Sequence, residues 1–229
     1  MIFMAKFQAA IDLSGNAARM CIADADGNVL RNGILPMKRR ESAHLAEFAA
    51  GEIANCGGTL NDVEYWSVGI GPGSFTGMRL AAALIAGLSH GESSVKTRGV
   101  PTATAISMAA EKKLPENSIS AVLFDGRNHE MLVYCVKRKN NVDEGCSEGT
   151  VLNREQAAEF FAQNSFAMLC VQSCEAEAVK ALLPESVAEQ LKTVDDYDLS
   201  PLLRSGKEFD NNLRDLIYIR PAVFTKPIN

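Results

Sequence analysis

Gly69-Ile70-Gly71-Pro72-Gly73-Ser74-Phe75-Thr76-Gly77-Met78-Arg79 follows an apolar run, Val63 to Val68, with the composition of a strand. It leads into an Ala/Leu-rich segment, Phe75 to about Leu88, with the composition of a helix. A strand, a glycine turn and a helix N-terminus together make an anion site, because unpaired N–H groups and the helix dipole point at the turn. No lysine follows Gly77, which excludes a Walker-type phosphate loop. Gly71, Gly73 and Gly77 give G-x-G-x-x-x-G, one residue longer than the dinucleotide fingerprint. Glu92 stands at a suitable distance for a ribose contact, but Pro72 stiffens the turn and the strand before it is not the first of the chain. The competing reading is structural: the glycines let helix and strand pack closely.

Outward from this turn the chain alternates strands and helices. Phe7–Leu13, Arg19–Asp24 and Val29–Leu35 read as three consecutive strands, with Asp26-Gly27-Asn28 as a hairpin turn. A helix begins at about Ser42, a suitable N-cap, and Leu45, Phe48, Ala49 and Ile53 share one of its faces. After the glycine turn come a strand, Val95–Val100, and a helix from Pro101 to about Lys112. Leu114-Pro115-Glu116-Asn117 reads as a linker. Ile119–Phe124 and Glu130–Lys137 are strands around the turn Asp125-Gly126-Arg127-Asn128. Lys139 to Gly145 reads as a loop. Asn153 caps a helix to about Gln163, Phe166–Val171 is a strand, Glu175–Leu183 a helix, and Leu216–Arg220 a strand-like run closed by Pro221. The sequence shows no internal repeat.

The 229 residues, 47% hydrophobic, suffice for two small domains. The boundaries expected are 1–112 and 113–229, with room for the end of the chain to pack back on the first. The net charge of −5 disfavours independent nucleic-acid binding. Lys38-Arg39-Arg40 and Lys137-Arg138-Lys139 are the compact basic clusters, and both read as solvated strand ends or loops. The longest apolar stretch, Leu80 to Leu88, is too short to span a bilayer. Met1 to Lys6 lacks the layout of a signal peptide. Six cysteines without a C-x-x-C pair read as reduced, mostly buried thiols of a cytoplasmic protein.

The order strand-strand-strand-helix-strand-helix-strand-helix is that of one domain of the actin/sugar-kinase/heat-shock-ATPase fold. That α/β fold repeats the unit around a nucleotide cleft. Asp12, Ser14 and Gly15 in the first hairpin are then candidate contacts to a cation or an anion. Gly71, Gly73 and Ser74 are candidates from the glycine turn. An ordinary hairpin favours the same residue types, so both readings stand at this point.

Ile11-Asp12-Leu13-Ser14, Ser42-Ala43-His44-Leu45, the run Val68 to Arg79 and Leu216-Ile217-Tyr218-Ile219-Arg220 resemble the TsaB (YeaZ) family of bacterial tRNA-modification proteins. The resemblance covers mainly the first half. It implies two actin-like domains with the second reduced. It also implies a non-catalytic scaffold that pairs with a TsaD-like catalytic subunit and works with a TsaE-like ATPase. Together these transfer threonylcarbamoyl to adenosine in tRNA, with tRNA reached only through the complex and a homodimer expected when the chain is alone.

The catalytic relatives hold a metal through H-x-x-x-H, and here His44 is followed by Phe48. His90 and His129 are isolated, so neither a metal site, a cofactor nor a catalytic residue is expected. Asp125 and Arg127 sit where the family has a similar acidic–basic turn. The alternatives to a scaffold are a nucleotide-dependent kinase-like enzyme and a protease-like hydrolase. The first needs catalytic carboxylates in both domains, and the second needs the missing ligand pair and a nucleophile.

The helix after the turn is rich in small residues: Gly77, Ala81, Ala82, Ala83, Ala86 and Gly87. One face packs on its own sheet and the surplus needs a cover. The resemblance puts the subunit interface in this region, and Gly77, Met78, Ala82 and Ala86 are its candidate residues.

Overall fold

A computed structural model describes residues 6–37 and 41–219. Lys38-Arg39-Arg40, Met1 to Ala5, Arg220 and Pro221 lie outside them. The first sheet contains β1 (Phe7–Asp12), β2 (Ala17–Asp24), β3 (Val29–Pro36), β4 (Val63–Gly69) and β5 (Lys96–Val100), in the order β3-β2-β1-β4-β5. β1, β2 and β3 are joined antiparallel, while β4 runs parallel to β1 and β5 parallel to β4. The second sheet contains β6 (Ile119–Arg127), β7 (Glu130–Lys139), β8 (Val142–Gly145), β10 (Met168–Gln172) and β11 (Leu191–Val194). Its order is β11-β10-β6-β7-β8, and the short β9 (Thr150–Leu152) pairs with β7. Here too an antiparallel trio is followed by two parallel strands. The second sheet therefore repeats the path of the first although the sequence does not repeat. Two such units make the actin/sugar-kinase/heat-shock-ATPase fold.

Three hydrophobic layers hold the sheets. Helices α1 (Leu45–Ala54) and α2 (Phe75–Leu88) cover the outer face of the first sheet. Leu45, Ala49 and Ile53, four residues apart, form the buried stripe of α1, and Ala81, Ala82 and Ile85 that of α2. α3 (Thr102–Ala110) lies between the two sheets. Every side chain from Thr102 to Met108 is buried because both faces meet a sheet or the short α7 (Ser200–Leu203). The hydroxyls of Thr104 and Ser107 have no partner there. α4 (Arg154–Gln163) and α5 (Ala176–Lys180) cover the outer face of the second sheet. Asn153 and Gln156 cap α4 reciprocally.

The structure corrects several readings. Lys139 to Gly145 is a hairpin: Asn140 and Asn141, both at positive φ, turn β7 into β8. Arg138 is 2% exposed and paired with Asp143, not solvated. A 3-10 turn, Glu41–His44, precedes α1. The helix read as Glu175–Leu183 is a 3-10 turn, Ser173–Glu175, followed by the five residues of α5. β9, β11, α7 and the short α6 (Glu185–Ala188) lie where no element was read. Residues 216–219 form no strand, although the Ile217 N–H donates to the Ile70 carbonyl. All six cysteines are free, but only Cys21 and Cys170 are buried; Cys146 and Cys174 are exposed just beyond strand ends. Among the described residues no helix is long and apolar enough to cross a membrane.

Candidate functional site

The glycine turn docks on the β1–β2 turn. The Ser74 N–H donates to the Ser14 carbonyl at 2.6 Å, and Ser74 Oγ caps α2 by accepting from the Gly77 N–H at 3.2 Å. A side chain at Gly73 or Gly77 would strike the backbone of Ser14 or Leu13, so glycine is required by close approach. The glycines thus act as spacers between helix and strand.

Opposite stands the β6–β7 turn. Arg127, Asn128 and His129 are all left-handed, with φ of 59°, 50° and 60°. Three consecutive non-glycine residues in that region mark a turn held by its surroundings. The Arg127 N–H donates to Asp125, and the Asp125 N–H donates to Glu175. Burial pushes the Glu175 carboxyl above its usual range. A cleft of about 610 Å³ separates the two turns. Ser14, Gly15, Gly73, Ser74 and Thr76 line one wall, and Asp125, Arg127, Gln172, Cys174 and Glu175 the other.

Of the residues read as anion contacts, Ser14, Gly73 and Ser74 line this cleft. Asp12 and Gly71 do not: both are buried. Asp12 is 0% exposed. Its Oδ1 accepts from Thr102 Oγ1 at 2.7 Å and from the Ser14 N–H at 3.3 Å. Its Oδ2 accepts from Ser14 Oγ at 3.0 Å and the Tyr197 hydroxyl at 3.3 Å. Gly69 lies flat against this carboxylate. The Gly71 N–H donates to Thr102 Oγ1, and its carbonyl accepts from the Thr102 N–H. Burial with no cation in the network pushes the Asp12 carboxyl up, and its hydrogen bonds offset this only in part. Burial likewise pushes Tyr197 up. Tyr197 arrives from beyond β11, held by Arg19, whose guanidinium lies 4.3 Å from the ring centre and also pairs with Asp196.

The chemistry of the cleft follows from this inventory. Its lining offers one cation, Arg127, against two carboxylates, Asp125 and Glu175. Both Asp12 oxygens are satisfied from within. These residues do not fit a metal-bound polyphosphate, which wants a free carboxylate for the cation and several positive groups for the phosphates. Among the described residues no three metal-ligating side chains form a group. The His44 imidazole is 62% exposed beside Glu47, while Phe48 packs against the core, so the two cannot act as a pair.

The candidate interface residues separate cleanly. Gly77, Met78 and Ala82 are buried within the domain, although the edge of Ala82 still borders a groove beside the helix. This corrects the sequence reading: their side of α2 is the one that meets β1 and β4. Ala86 is exposed, as are Thr76, Arg79, Ala83 and Gly87, and these share the outer face. Tyr197, Thr102 and Glu175 went unread. Thr102 had a signal in its place after Pro101 at a helix start; Tyr197 had none, since only the tertiary fold brings it to Asp12.

A family model described as "TsaD: tRNA N6-adenosine threonylcarbamoyltransferase" matches residues 27–163. The chain belongs to this family. Among solved structures, YeaZ from Pseudomonas aeruginosa is similar at a TM-score of 0.68 and 20% identity, covering 87% of this chain and 89% of that one. A second structure, of an uncharacterized protein with similarity to peptidase YEAZ from Pseudomonas aeruginosa, matches with the same values. At that identity the likeness is one of fold, and the fold is YeaZ-like. No curated protein matches the sequence.

Proposed function

We propose that this chain is a non-catalytic scaffold that pairs with a TsaD-like subunit and, with a TsaE-like ATPase, supports threonylcarbamoyl transfer to adenosine in tRNA. The observation that carries the proposal is the exposed face of α2. On a family member whose cleft wall spends its aspartate on internal hydroxyls, one feature left uncovered is a helix face of Thr76, Arg79, Ala83, Ala86 and Gly87. Small side chains let a second helix approach closely. Arg79 and the 38% exposed Phe75 at its N-terminal end have the composition of interface anchors. Phe48 in place of the second histidine of H-x-x-x-H supports the non-catalytic role.

The test is reconstitution with purified TsaD-like and TsaE-like proteins of the same organism. Transfer to tRNA is expected to require this chain, and the chain alone is expected to turn over neither nucleotide nor peptide. Turnover by the isolated chain that Asp12→Ala removes would replace the scaffold with an enzyme.

A further inference from the structure

We propose that residues 204–219 form a strap, clamped by Arg98, that makes the second wall of the α2 pairing surface, so that Arg98 is a positioning residue for that surface. This rests on the reading of α2 as the interface and adds how the surface is held. After α7 the chain has no regular secondary structure to residue 219, yet it is fixed along its length. Arg98, on β5, is 4% exposed. Its Nη1 donates to the carbonyls of Ser205 at 2.7 Å and Lys207 at 2.6 Å. Nη2 donates to those of Leu202 at 3.0 Å and Leu203 at 2.7 Å, and Nε to Ser67 Oγ at 2.9 Å. The Phe209 ring covers the guanidinium at 4.1 Å and meets Tyr65 edge-on. Further along, Asn211 pairs with both the N–H and the carbonyl of Thr97, giving edge strand β5 a partner. Leu213 and Leu216 join the first core, and the Tyr218 hydroxyl accepts from Arg79 Nε at 3.0 Å beside Phe75.

Two features make this more than a packed tail. The strap borders the bare face of α2 directly: a groove of about 560 Å³ is lined by Ala82, Ala83 and Ala86 on the helix and by Asn211, Leu213 and Arg214 on the strap. A partner helix laid on Ala83 and Ala86 therefore touches the strap. The clamp is also conditional. Among the described residues no carboxylate pairs with Arg98, and burial draws its pKa down to about 10. Its charge is satisfied by backbone carbonyls, two of which the strap supplies. Five donors in a planar fork suit this arrangement, and a lysine ammonium, with three, does not.

The experiment compares the full chain with Arg98→Lys, Asn211→Ala and Ala86→Arg. Amide exchange is read peptide by peptide, and binding to the purified TsaD-like subunit is titrated. Arg98→Lys is expected to speed exchange across 205–219 by about tenfold or more, leave β1 and β4 protected, and weaken binding by a similar factor. Asn211→Ala should do the same to a smaller extent, and it carries the test if Arg98→Lys does not fold. Ala86→Arg should abolish binding with strap exchange unchanged. Unchanged strap exchange in both strap variants, or faster exchange with binding intact, overturns the strap proposal while leaving the α2 reading. Normal binding by Ala86→Arg overturns the α2 reading, and the strap's share in pairing with it.

Discussion

Two buried arginines fasten this molecule, and they do so in opposite ways. Arg138 sits in the β7–β8 hairpin and meets Asp143, five residues away, with both side chains at most 2% exposed. Its remaining donors reach the carbonyls of Glu111 and Lys112 at the end of α3, so one local ion pair also ties the second sheet to the first half. Among the described residues Arg98 has no acid partner, and it draws carbonyls from more than a hundred residues away. The first is a charge neutralised within one hairpin, which any folded form of the second sheet retains. The second is neutralised in part by α7 and in part by a segment that could leave. The difference separates a permanent seam from a conditional one.

Removing one partner of the permanent seam is the harshest way to break the comparison. Asp143→Asn leaves a buried guanidinium uncompensated, expected to cost about 3–5 kcal/mol. At roughly 2–4 °C per kcal/mol for a chain of this size, melting would fall by about 6–20 °C. Because the carbonyls of Glu111 and Lys112, just after α3, also depend on Arg138, the double variant Arg138→Met/Asp143→Leu should recover part of that loss but not all. A single variant that melts like the parent would show that the hairpin does not depend on the pair.

The helix beside the conditional seam gives the next largest effect. Ala82 is 8% exposed and packs in the first core, so Ala82→Arg forces a charge into an apolar layer and is expected to unfold or sharply destabilise the chain. Ala86→Arg, one turn on, points outward and should shift melting by no more than about 0.5 kcal/mol in equivalent stability. Parallel thermal melts decide it. Two soluble variants of equal stability would mean that α2 is rotated relative to the packing described here.

Legibility followed the locality of the signal. Val63–Gly69 and Phe75–Leu88 could be read to within about a residue, because strand, glycine turn and helix are punctuated by their own sequence. The hairpin at Asn140-Asn141 was hidden under polar composition, although two adjacent asparagines are what a type I′ turn wants. β11 and α7 are four residues each, too short for a period to show. At the candidate site the sequence named the wall residues Ser14, Gly73 and Ser74 but placed Asp12 among the contacts. Nothing local says that Thr102 and Tyr197, 90 and 185 residues away, will consume its oxygens. The small residues of α2 were legible as a set, but the side that the sheet takes was not: an alanine-rich helix has too little amphipathic contrast to tell Ala82 from Ala86.

Asp12 supplies the gentlest test, a fourth buried ionisable group met only by hydroxyls and one N–H. Its folded pKa is raised by burial above the unfolded value, so the folded state binds the extra proton. Stability from this group is then fully present below the unfolded pKa, near 3.8, and falls as pH rises through the folded pKa. Asp12→Asn keeps the shape and removes the charge, and the hydroxyls of Ser14, Thr102 and Tyr197 can accept from the amide as readily as they donate. The variant is expected to melt a few degrees above the parent at neutral pH, with the gap closing on acidification toward pH 4. That sign opposes Asp143→Asn, where the carboxylate is the compensating partner and its loss destabilises. If Asp12→Asn instead lowers melting at neutral pH, the ionised carboxylate is net stabilising, and its four donors outweigh its burial. The hydroxyl cage would then hold a charge as firmly as the hairpin's ion pair does.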